Sequence, residues 1–395
     1  MPTLLQINVT ANWGSTGKIA EQIGLCAMKH GWESYIAYGR MMNPSGSKLI
    51  KIGSRMDVYE HYAESVFLDN EGLASRHATK KFIERIDEIK PDIVHLHNIH
   101  DHYLNYRLLF EYLNRTEIKV VWTFHDCWAF TGHCFHFVTK DCERWKTGCF
   151  ECPMQHEFPK TFSDHSAKNF ALKKELFRTN KNLAIVACSE WIANFARLSF
   201  FQEKPICVIN NGVNLNVFNA PASKDPKKGM FKVLAVSNIW NKDKGFEDVI
   251  LLRHLLPEDF EIIIVGVTKQ QQRNLPKGII GIQRTQSIHE LADLYSEADV
   301  LINPTYADTF PTVNLEALAC GTPVITYRTG GSPEAIDEKT GIVVEQGDVN
   351  GLVEAILKLK ASPLSSADCR KRAEEHFDKD KCFKEYIKLY ESRVK

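Results

Sequence analysis

The chain has 395 residues, of which 44% are hydrophobic and 25% charged, a length that suits two domains and a composition typical of globular proteins. Lysine plus arginine number 49, as do aspartate plus glutamate, so the chain has no net charge with which to attract nucleic acid. No apolar run approaches the roughly 20 residues that span a bilayer, and the segment from Thr3 to Thr10 is typical of a strand rather than a signal peptide. We therefore expect a cytoplasmic protein without nucleic-acid partners.

The first half of the chain alternates short apolar runs with amphipathic segments. The runs predicted as strands are Leu4 to Val9, Ser34 to Tyr38, Ile93 to Leu96, Val120 to Phe124 and Leu183 to Ala187. Helical patterns run from a loop containing Gly14 and Gly17 to about His30, and then near 74–89, 104–114, 164–179 and 190–198. Strands separated by helices indicate a parallel sheet covered on both faces, so this half is predicted to form one α/β domain.

The second half repeats this alternation. Its predicted strands are Phe231 to Val236, Glu261 to Val265, Val300 to Asn303, Val324 to Thr326 and Ile342 to Val344, and its predicted helices lie near 246–255, 288–296, 314–319, 350–360 and 365–377. Asn210-Asn211-Gly212 and the polar stretch that runs to Gly229 are predicted as the linker. Two facing, doubly wound domains would place the carboxyl ends of both sheets around a central cleft, where such folds bind ligands.

The strongest motif runs from Asp308 to Ile325, DTFPTVNLEALACGTPVI. It follows a predicted strand, and its helix is expected to begin near Thr312, where free backbone N–H groups favour phosphate or sugar oxygens. Asp308 and Glu316 supply carboxylates that can accept hydrogen bonds from sugar hydroxyls. Taken as an isolated pair, they could equally be a helix-capping acid and a solvated glutamate.

This motif resembles the signature of the GT4 family of retaining glycosyltransferases, Glu-x7-Glu before Ala-x-Gly-x-Pro-Val, with Asp308 in place of the first glutamate. The resemblance continues through the GGSPE segment at 330–334 and through residues 341–348. It implies the GT-B fold, an α/β architecture in which two Rossmann-like domains face each other across a central cleft. We accordingly expect an acceptor domain over 1–205, a nucleotide-sugar donor domain over 206–378, and a last helix over 379–395 that packs back on the first domain.

The resemblance also implies donor-binding roles in the second domain. Glu316 would hold the nucleotide ribose and Asp308 would contact the donor sugar, as a catalytic residue. Backbone amides would come from the segment comprising Phe310, Pro311, Thr312 and Val313. Lys244, at a predicted helix start, would neutralise the diphosphate during catalysis, with Lys242 as a possible substitute and Asn238 where the family usually has arginine. Each lysine, taken alone, is equally typical of an exposed surface.

In the first domain the resemblance implies a glycine-rich loop near the donor phosphates, which corresponds to Gly17 and Lys18. The segment is not a P-loop, because its spacing does not match. His125, at the end of a predicted strand, resembles the family histidine that contacts the donor sugar and is predicted as catalytic. For the run 95–98 we favour structural or acceptor-side roles.

Five cysteines cluster in a predicted insertion at about 127–155, which has little periodicity. Four of them, Cys134, Cys142, Cys149 and Cys152, end in a Cys-x2-Cys pair and could form a tetrahedral structural zinc site. Free thiols and a disulfide remain alternatives, although a cytosolic location disfavours the disulfide. Catalysis itself is expected to need no metal, because Lys244, helix amides and Lys18 could offset the charge of the departing diphosphate.

The function implied by the resemblance is retaining transfer of a hexosyl group from a nucleotide-diphosphate sugar to a glycan or lipid-linked glycan acceptor, in surface polysaccharide synthesis. A lipid-linked acceptor would bring the protein into peripheral contact with the inner membrane face. The alternative is a non-catalytic nucleotide-sugar- or glycan-binding protein on the same scaffold, for which the substitutions at 308 and 238 are the best arguments. An oxidoreductase is disfavoured, since no Gly-x-Gly-x-x-Gly follows a strand with an acid about 20 residues later.

Overall fold

The computed structural model describes residues 1–219 and 229–394. It divides into two compact units: the N-domain, Met1–Asn210 with Phe383–Lys395, and the C-domain, Asn211–Cys382. The boundary lies five residues later than the predicted one, and the last helix is shared between the units rather than separate from them. The predicted linker falls partly on residues 220–228, which lie outside the described residues.

The N-domain is built on a seven-stranded sheet of order β3-β2-β1-β4-β5-β6-β7, in which every pairing is parallel. Its strands are β1 (Thr3–Asn8), β2 (Glu33–Tyr38), β3 (Lys48–Lys51), β4 (Ile93–Leu96), β5 (Lys119–Phe124), β6 (Leu183–Ala187) and β7 (Ile206–Val208). Its helices are α1 (Gly14–Lys29), α2 (Arg55–Leu68), α3 (Arg76–Ile89), α4 (Tyr106–Leu113), α5 (Ser166–Thr179) and α6 (Glu190–Leu198). All six residues of β1 are buried, as expected for a central strand covered on both faces.

The C-domain contains a second parallel sheet, of order β10-β9-β8-β11-β12-β13. Its strands are β8 (Phe231–Val236), β9 (Phe260–Val265), β10 (Ile279–Ile282), β11 (Val300–Asn303), β12 (Val324–Tyr327) and β13 (Gly341–Val344). Its helices are α7 (Phe246–Leu255), α8 (Lys269–Arg273), α9 (Ile288–Glu297), α10 (Thr312–Ala319), α11 (Val349–Ala361) and α12 (Ser366–His376). In each sheet the strand order reverses beside the first strand of the domain, which makes both domains doubly wound.

The last helix, α13 (Lys379–Val394), begins in the C-domain, where the Lys379 N–H donates to the Val213 carbonyl at 3.1 Å. Its later residues join the N-domain core. The Tyr390 hydroxyl lies 2.6 Å from His95 Nδ1, and that of Tyr386 lies 3.1 Å from Thr123 Oγ1.

The regular structure between β5 and α5 consists of three 3₁₀ turns, Trp128–Phe130, Val138–Lys140 and Arg144–Lys146. This described segment contains neither an α-helix nor a strand. It nevertheless has an aromatic core, in which Phe137 stacks on Trp145 with ring centroids 5.0 Å apart. We call residues 127–155 the cysteine-rich insertion. Among the helices that the structure describes, none combines the length and apolar character needed to cross a bilayer.

Candidate active site

Three loops of the C-domain meet at one edge of its sheet, because they follow the parallel neighbours β8, β11 and β12. Two glycines allow this close approach. A Cβ on Gly245 (φ +71°) would lie 2.1 Å from the Pro304 carbonyl oxygen, and one on Gly330 (φ +56°) would lie 1.7 Å from the Asp308 carbonyl oxygen. The loop that carries Asp308 is therefore held between the other two, and a side chain at either glycine would displace it.

Lys244 and Asp308 form an ion pair in this structure. The Lys244 ammonium lies 2.7 Å from Asp308 Oδ2 and also donates to the Ala307 carbonyl at 3.1 Å. The two side chains are 33% and 24% exposed, so solvent and ligands can reach both. The sequence motifs imply separate roles for the two residues, toward diphosphate and sugar, and do not indicate that they pair with each other. A bound phosphate would compete with Asp308 for the Lys244 ammonium.

Glu316, in the second turn of α10, is half-buried and is oriented by a neighbouring helix. The Tyr295 hydroxyl, on α9, donates to Glu316 Oε2 at 2.8 Å. Burial, first of all, and the adjacent carboxylate raise the pKa of Tyr295 well above its usual value, so the phenol remains a hydrogen-bond donor. One carboxylate oxygen of Glu316 is thus held in place, and the carboxylate has further lone pairs with which to accept ligand hydroxyls.

The start of α10 offers backbone donors. Its N-cap residue is Pro311, and no side chain caps the helix. The prediction that residues 310–313 all supply backbone N–H donors is wrong for Pro311, because proline has no N–H. Only Phe310, Thr312 and Val313 can donate. The Phe310 side chain is 4% exposed and packs against Phe377, which makes it a core residue. Thr312 and Val313 are half-buried.

The turn after β8 presents Lys244 in a different local structure from the one predicted. Residues 242–244 form a 3₁₀ turn, and α7 begins only at Phe246. The Asn241 side chain accepts the Lys244 N–H at 3.1 Å, which fixes the backbone of that residue. Asn238 and Lys242 are both exposed. In the part of the chain that the structure describes, neither side chain forms a hydrogen bond or ion pair with Asp308.

In the N-domain, Gly17 lies inside the first turns of α1, against the preceding loop. A Cβ there would approach Thr10 Oγ1 to 2.6 Å, and the Asn12 N–H donates to the Gly17 carbonyl at 3.1 Å. Close packing of helix and loop therefore accounts for the glycine without a ligand. Lys18 is exposed, and the N-cap of α1, Trp13, makes no side-chain cap.

His125 follows β5 and is linked to two other polar side chains. His125 Nε2 lies 3.0 Å from His97 Nδ1, and His97 Nε2 lies 3.1 Å from Gln6 Oε1. Gln6 Nε2 donates to the Ala20 carbonyl, so its oxygen accepts from His97. Burial lowers the pKa of His125 to about 4 and that of His97 well below its usual value, so both rings are neutral at pH 7. This assignment makes His125 Nδ1 a hydrogen-bond acceptor.

Two buried ion pairs in the N-domain were not predicted, and the first of them adjoins His125. Asp126 Oδ2 lies 2.8 Å from His100 Nε2, and Glu71 Oε2 lies 2.9 Å from His102 Nε2. Hydrogen-bonding and charge interactions with His100 outweigh burial and lower the pKa of Asp126 to about 2. The adjacent Asp101 and Glu71 carboxylates similarly raise the pKa of His102 to about 9 despite its burial. The clustering of histidines and acids in 95–102 and 125–126 is the signal that could have indicated this group.

The four cysteines predicted as zinc ligands line a single cavity in the insertion, of about 10 Å³. Sequence spacing alone does not bring these cysteines together, because Cys134 and Cys152 are 18 positions apart. The 11 cysteines all lie within the described residues, and none of them is in a disulfide bond. Within 1–219 and 229–394, no group of three or more His, Cys, Asp or Glu side chains is already arranged to hold a metal ion.

The pair of Rossmann-like domains is similar to that of several solved structures. Over 99% of both chains, the structure is similar to sucrose-phosphate synthase from Thermosynechococcus elongatus, with a TM-score of 0.75 at 17% identity. It is also similar over 99% of both chains to Anabaena HepE in complex with UDP-glucose, with a TM-score of 0.64 at 13% identity. These likenesses show the fold, which is the GT-B fold of glycosyltransferases, as the sequence motifs predict.

The family follows from matches to each domain. The family model described as Glycosyltransferase Family 4 matches residues 22–217, and that described as Glycosyl transferases group 1 matches 231–362. An Escherichia coli (strain K12) relative, assigned by its name to colanic acid biosynthesis as glycosyl transferase WcaC, is 24% identical over 98% of this chain and 99% of its own length. The chain belongs to the glycosyltransferases of the GT4 type.

Proposed function

We propose that the protein is a retaining hexosyltransferase that takes its sugar from a nucleotide-diphosphate donor and passes it to a glycan or lipid-linked glycan in surface polysaccharide synthesis. Family membership supports sugar transfer. The name of the E. coli relative, which refers to colanic acid biosynthesis, supports the polysaccharide context. The complex of HepE with UDP-glucose supports an activated sugar as donor.

The observation that carries this proposal is the Lys244–Asp308 ion pair at the carboxyl edge of the C-domain sheet, followed eight positions later by a Glu316 carboxylate that Tyr295 orients. In the proposed complex the diphosphate takes the Lys244 ammonium from Asp308, which frees the carboxylate to accept a sugar hydroxyl. Glu316, already oriented by Tyr295, accepts the ribose hydroxyls. Backbone N–H groups at the start of α10 bind the remaining oxygens.

The proposed reaction breaks the bond between the anomeric carbon and the diphosphate oxygen, through an oxocarbenium-like state. The acceptor hydroxyl attacks from the face that the diphosphate leaves, which preserves the anomeric configuration, and its proton passes to the departing diphosphate oxygen. Lys244 and the helix amides stabilise the negative charge on the leaving group, and we infer no metal for this step. We also propose, from the resemblance, that His125, which is neutral at pH 7, contacts the transferred sugar.

A donor panel tests this proposal. UDP-, GDP- and other activated hexoses are screened for protection against thermal unfolding, and the protecting donor is then incubated with oligosaccharide and lipid-linked acceptors. We expect one donor to protect and to be turned over, with the product anomer assigned by NMR and equal to that of the donor. Inversion would contradict the mechanism, and failure of every activated hexose to bind would contradict the function.

The same panel addresses the second candidate, a non-catalytic binding protein. This reading is favoured by Asp308, which is one methylene shorter than the family glutamate and is engaged by Lys244, and by Asn238, which replaces a family arginine. It predicts protection by a donor without release of free nucleoside diphosphate, either by transfer or by hydrolysis. Nucleotide release above the rate of the Glu316→Ala variant would exclude it.

A further inference from the structure

The cysteine-rich insertion is long and almost without regular structure, yet it has one chemically distinctive centre. Cys134, Cys142 and the closely spaced pair Cys149 and Cys152 line the same cavity. The cavity volume of about 10 Å³ is close to that needed for one water-sized occupant. Four thiols around a space of that size match the ligand number of a structural zinc site.

One backbone hydrogen bond within the insertion is directed at a sulfur atom of the cluster. The Gly132 N–H donates to Cys149 Sγ at 3.1 Å. Neighbouring donors commonly orient metal ligands in this way.

The surrounding chain holds the cavity in place. Lys173, on α5, is buried and donates to the carbonyls of Trp128 and Thr131, at 2.7 and 3.1 Å. Arg144 lines the cavity and donates to the Phe150 carbonyl at 2.6 Å. Segments of this length with so little helix or strand commonly depend on a metal or a crosslink for their order.

We propose that these four cysteines bind one structural zinc ion as thiolates in a tetrahedral site. The thiols do not stand at coordinating positions within the described residues, so the side chains must turn inward until each sulfur is about 2.3 Å from the ion. Binding releases four protons, one from each thiol, and leaves a centre with a net charge of −2. No electron transfer is involved.

Metal content of the purified protein tests the site directly. The full chain is expressed without a polyhistidine tag, purified in reductant without chelator, and analysed by mass spectrometry for zinc, iron and other metals. We expect about one zinc per chain. Folded, reduced protein with no zinc would overturn the proposal, as would iron with inorganic sulfide or a Cys134–Cys152 disulfide trapped by alkylation in intact cells.

Variants assign the ligands. Cys142→Ser and Cys149→Ser should each lower zinc occupancy several-fold, whereas Cys207→Ser should leave it unchanged. Cys207 is the matched control, a half-buried thiol on β7 of the same domain. Loss of zinc from the control, or full zinc in both ligand variants, would overturn the assignment.

A cobalt titration keeps the proposal testable if the ligand variants do not fold. Wild-type protein is stripped with a thiol-reactive reagent and a chelator, reduced again, and titrated with Co²⁺. A four-thiolate tetrahedral site should give strong thiolate-to-cobalt charge-transfer bands and intense d–d absorption that saturate at one ion per chain and disappear on addition of zinc. Weak octahedral absorption alone would contradict the site. Neither readout depends on glycosyltransferase activity.

Discussion

Glu316 is the residue whose role is most sharply defined by its contacts. If its carboxylate accepts ribose hydroxyls, Glu316→Ala should cost roughly 1.5–3 kcal/mol, or about 10- to 150-fold in donor affinity or kcat/KM. Tyr295→Phe is the matched control, since it removes only the hydrogen bond that orients the carboxylate and should have a smaller effect. Steady-state kinetics with varied donor give the answer. A folded Glu316→Ala protein with unchanged donor kinetics would remove this residue from the site.

Lys244 and Lys242 lie in one turn but differ in their contacts. Lys244 pairs with Asp308, whereas Lys242 is exposed. We expect Lys244→Ala to lower kcat/KM at least about tenfold, the loss of one charge-assisted hydrogen bond to phosphate. Lys242→Ala should change it by less than about threefold, as is usual for an exposed charge. Equal effects of the two substitutions would show that the ion pair does not identify the phosphate-binding lysine.

The protonation of His102 gives a prediction for pH dependence. Burial lowers its pKa, but Asp101 and Glu71 outweigh this effect and raise the pKa from the usual 6.5 to about 9. Because the folded state binds this proton more tightly, the stabilising contribution is fully present below pH 6.5 and is lost as the pH rises to about 9. In chemical denaturation, the difference in unfolding free energy between wild type and His102→Gln should shrink over that range. A difference that grows with pH would contradict the ion pair.

At the residue scale, sequence reasoning found individual side chains but not their partners. The motif identified Asp308 and Glu316 as a pair, since they are close in sequence. It could not reveal that Lys244 pairs with Asp308 across 64 positions, or that Tyr295 orients Glu316. Those contacts depend on which strands are neighbours, and that is set by the sheet order rather than by local pattern.

At the scale of elements, Gly330 controls the position of the Asp308 loop. Gly330→Ala should be destabilising, because a left-handed backbone costs an alanine about 1–2 kcal/mol and its Cβ would collide with the Asp308 carbonyl. Gly31→Ala is the matched control: its φ is +81°, but no atom lies within 4 Å of the added Cβ. Thermal unfolding should show a larger loss for Gly330→Ala, with weakened donor protection only in that variant. Equal losses of thermal stability in the two variants would show that the contact between Gly330 and the Asp308 loop does not contribute to stability.

The elements that the sequence missed have a common cause. The strands β3, β7 and β10 were not predicted; they are three or four residues long and lie at or near sheet edges. Their residues are half-buried or exposed, so they lack the continuous apolar run that revealed β1 and β4. Helix α2 was also missed, since only His61 and Ser65 of its 14 residues are buried and its apolar residues do not follow one face.

At the scale of the whole molecule, the two doubly wound domains could be predicted because each repeats the alternation of buried strands and amphipathic helices. The start of α13 in the C-domain could not, because it depends on three-dimensional contacts such as that of the Lys379 N–H with the Val213 carbonyl. The family assignment rests on motifs in the C-domain and on matches to both domains. Donor, acceptor and stereochemistry depend on the residues of the site rather than on the fold.

The most direct measurement is an experimental structure of the protein with the nucleoside diphosphate of its donor. We predict that the diphosphate oxygens lie within hydrogen-bonding distance of the Lys244 ammonium and the amides at the start of α10, with the Lys244–Asp308 contact broken and the ribose hydroxyls on Glu316. A nucleotide bound elsewhere, or one that leaves the Lys244–Asp308 pair closed and Glu316 without ribose, would contradict the account.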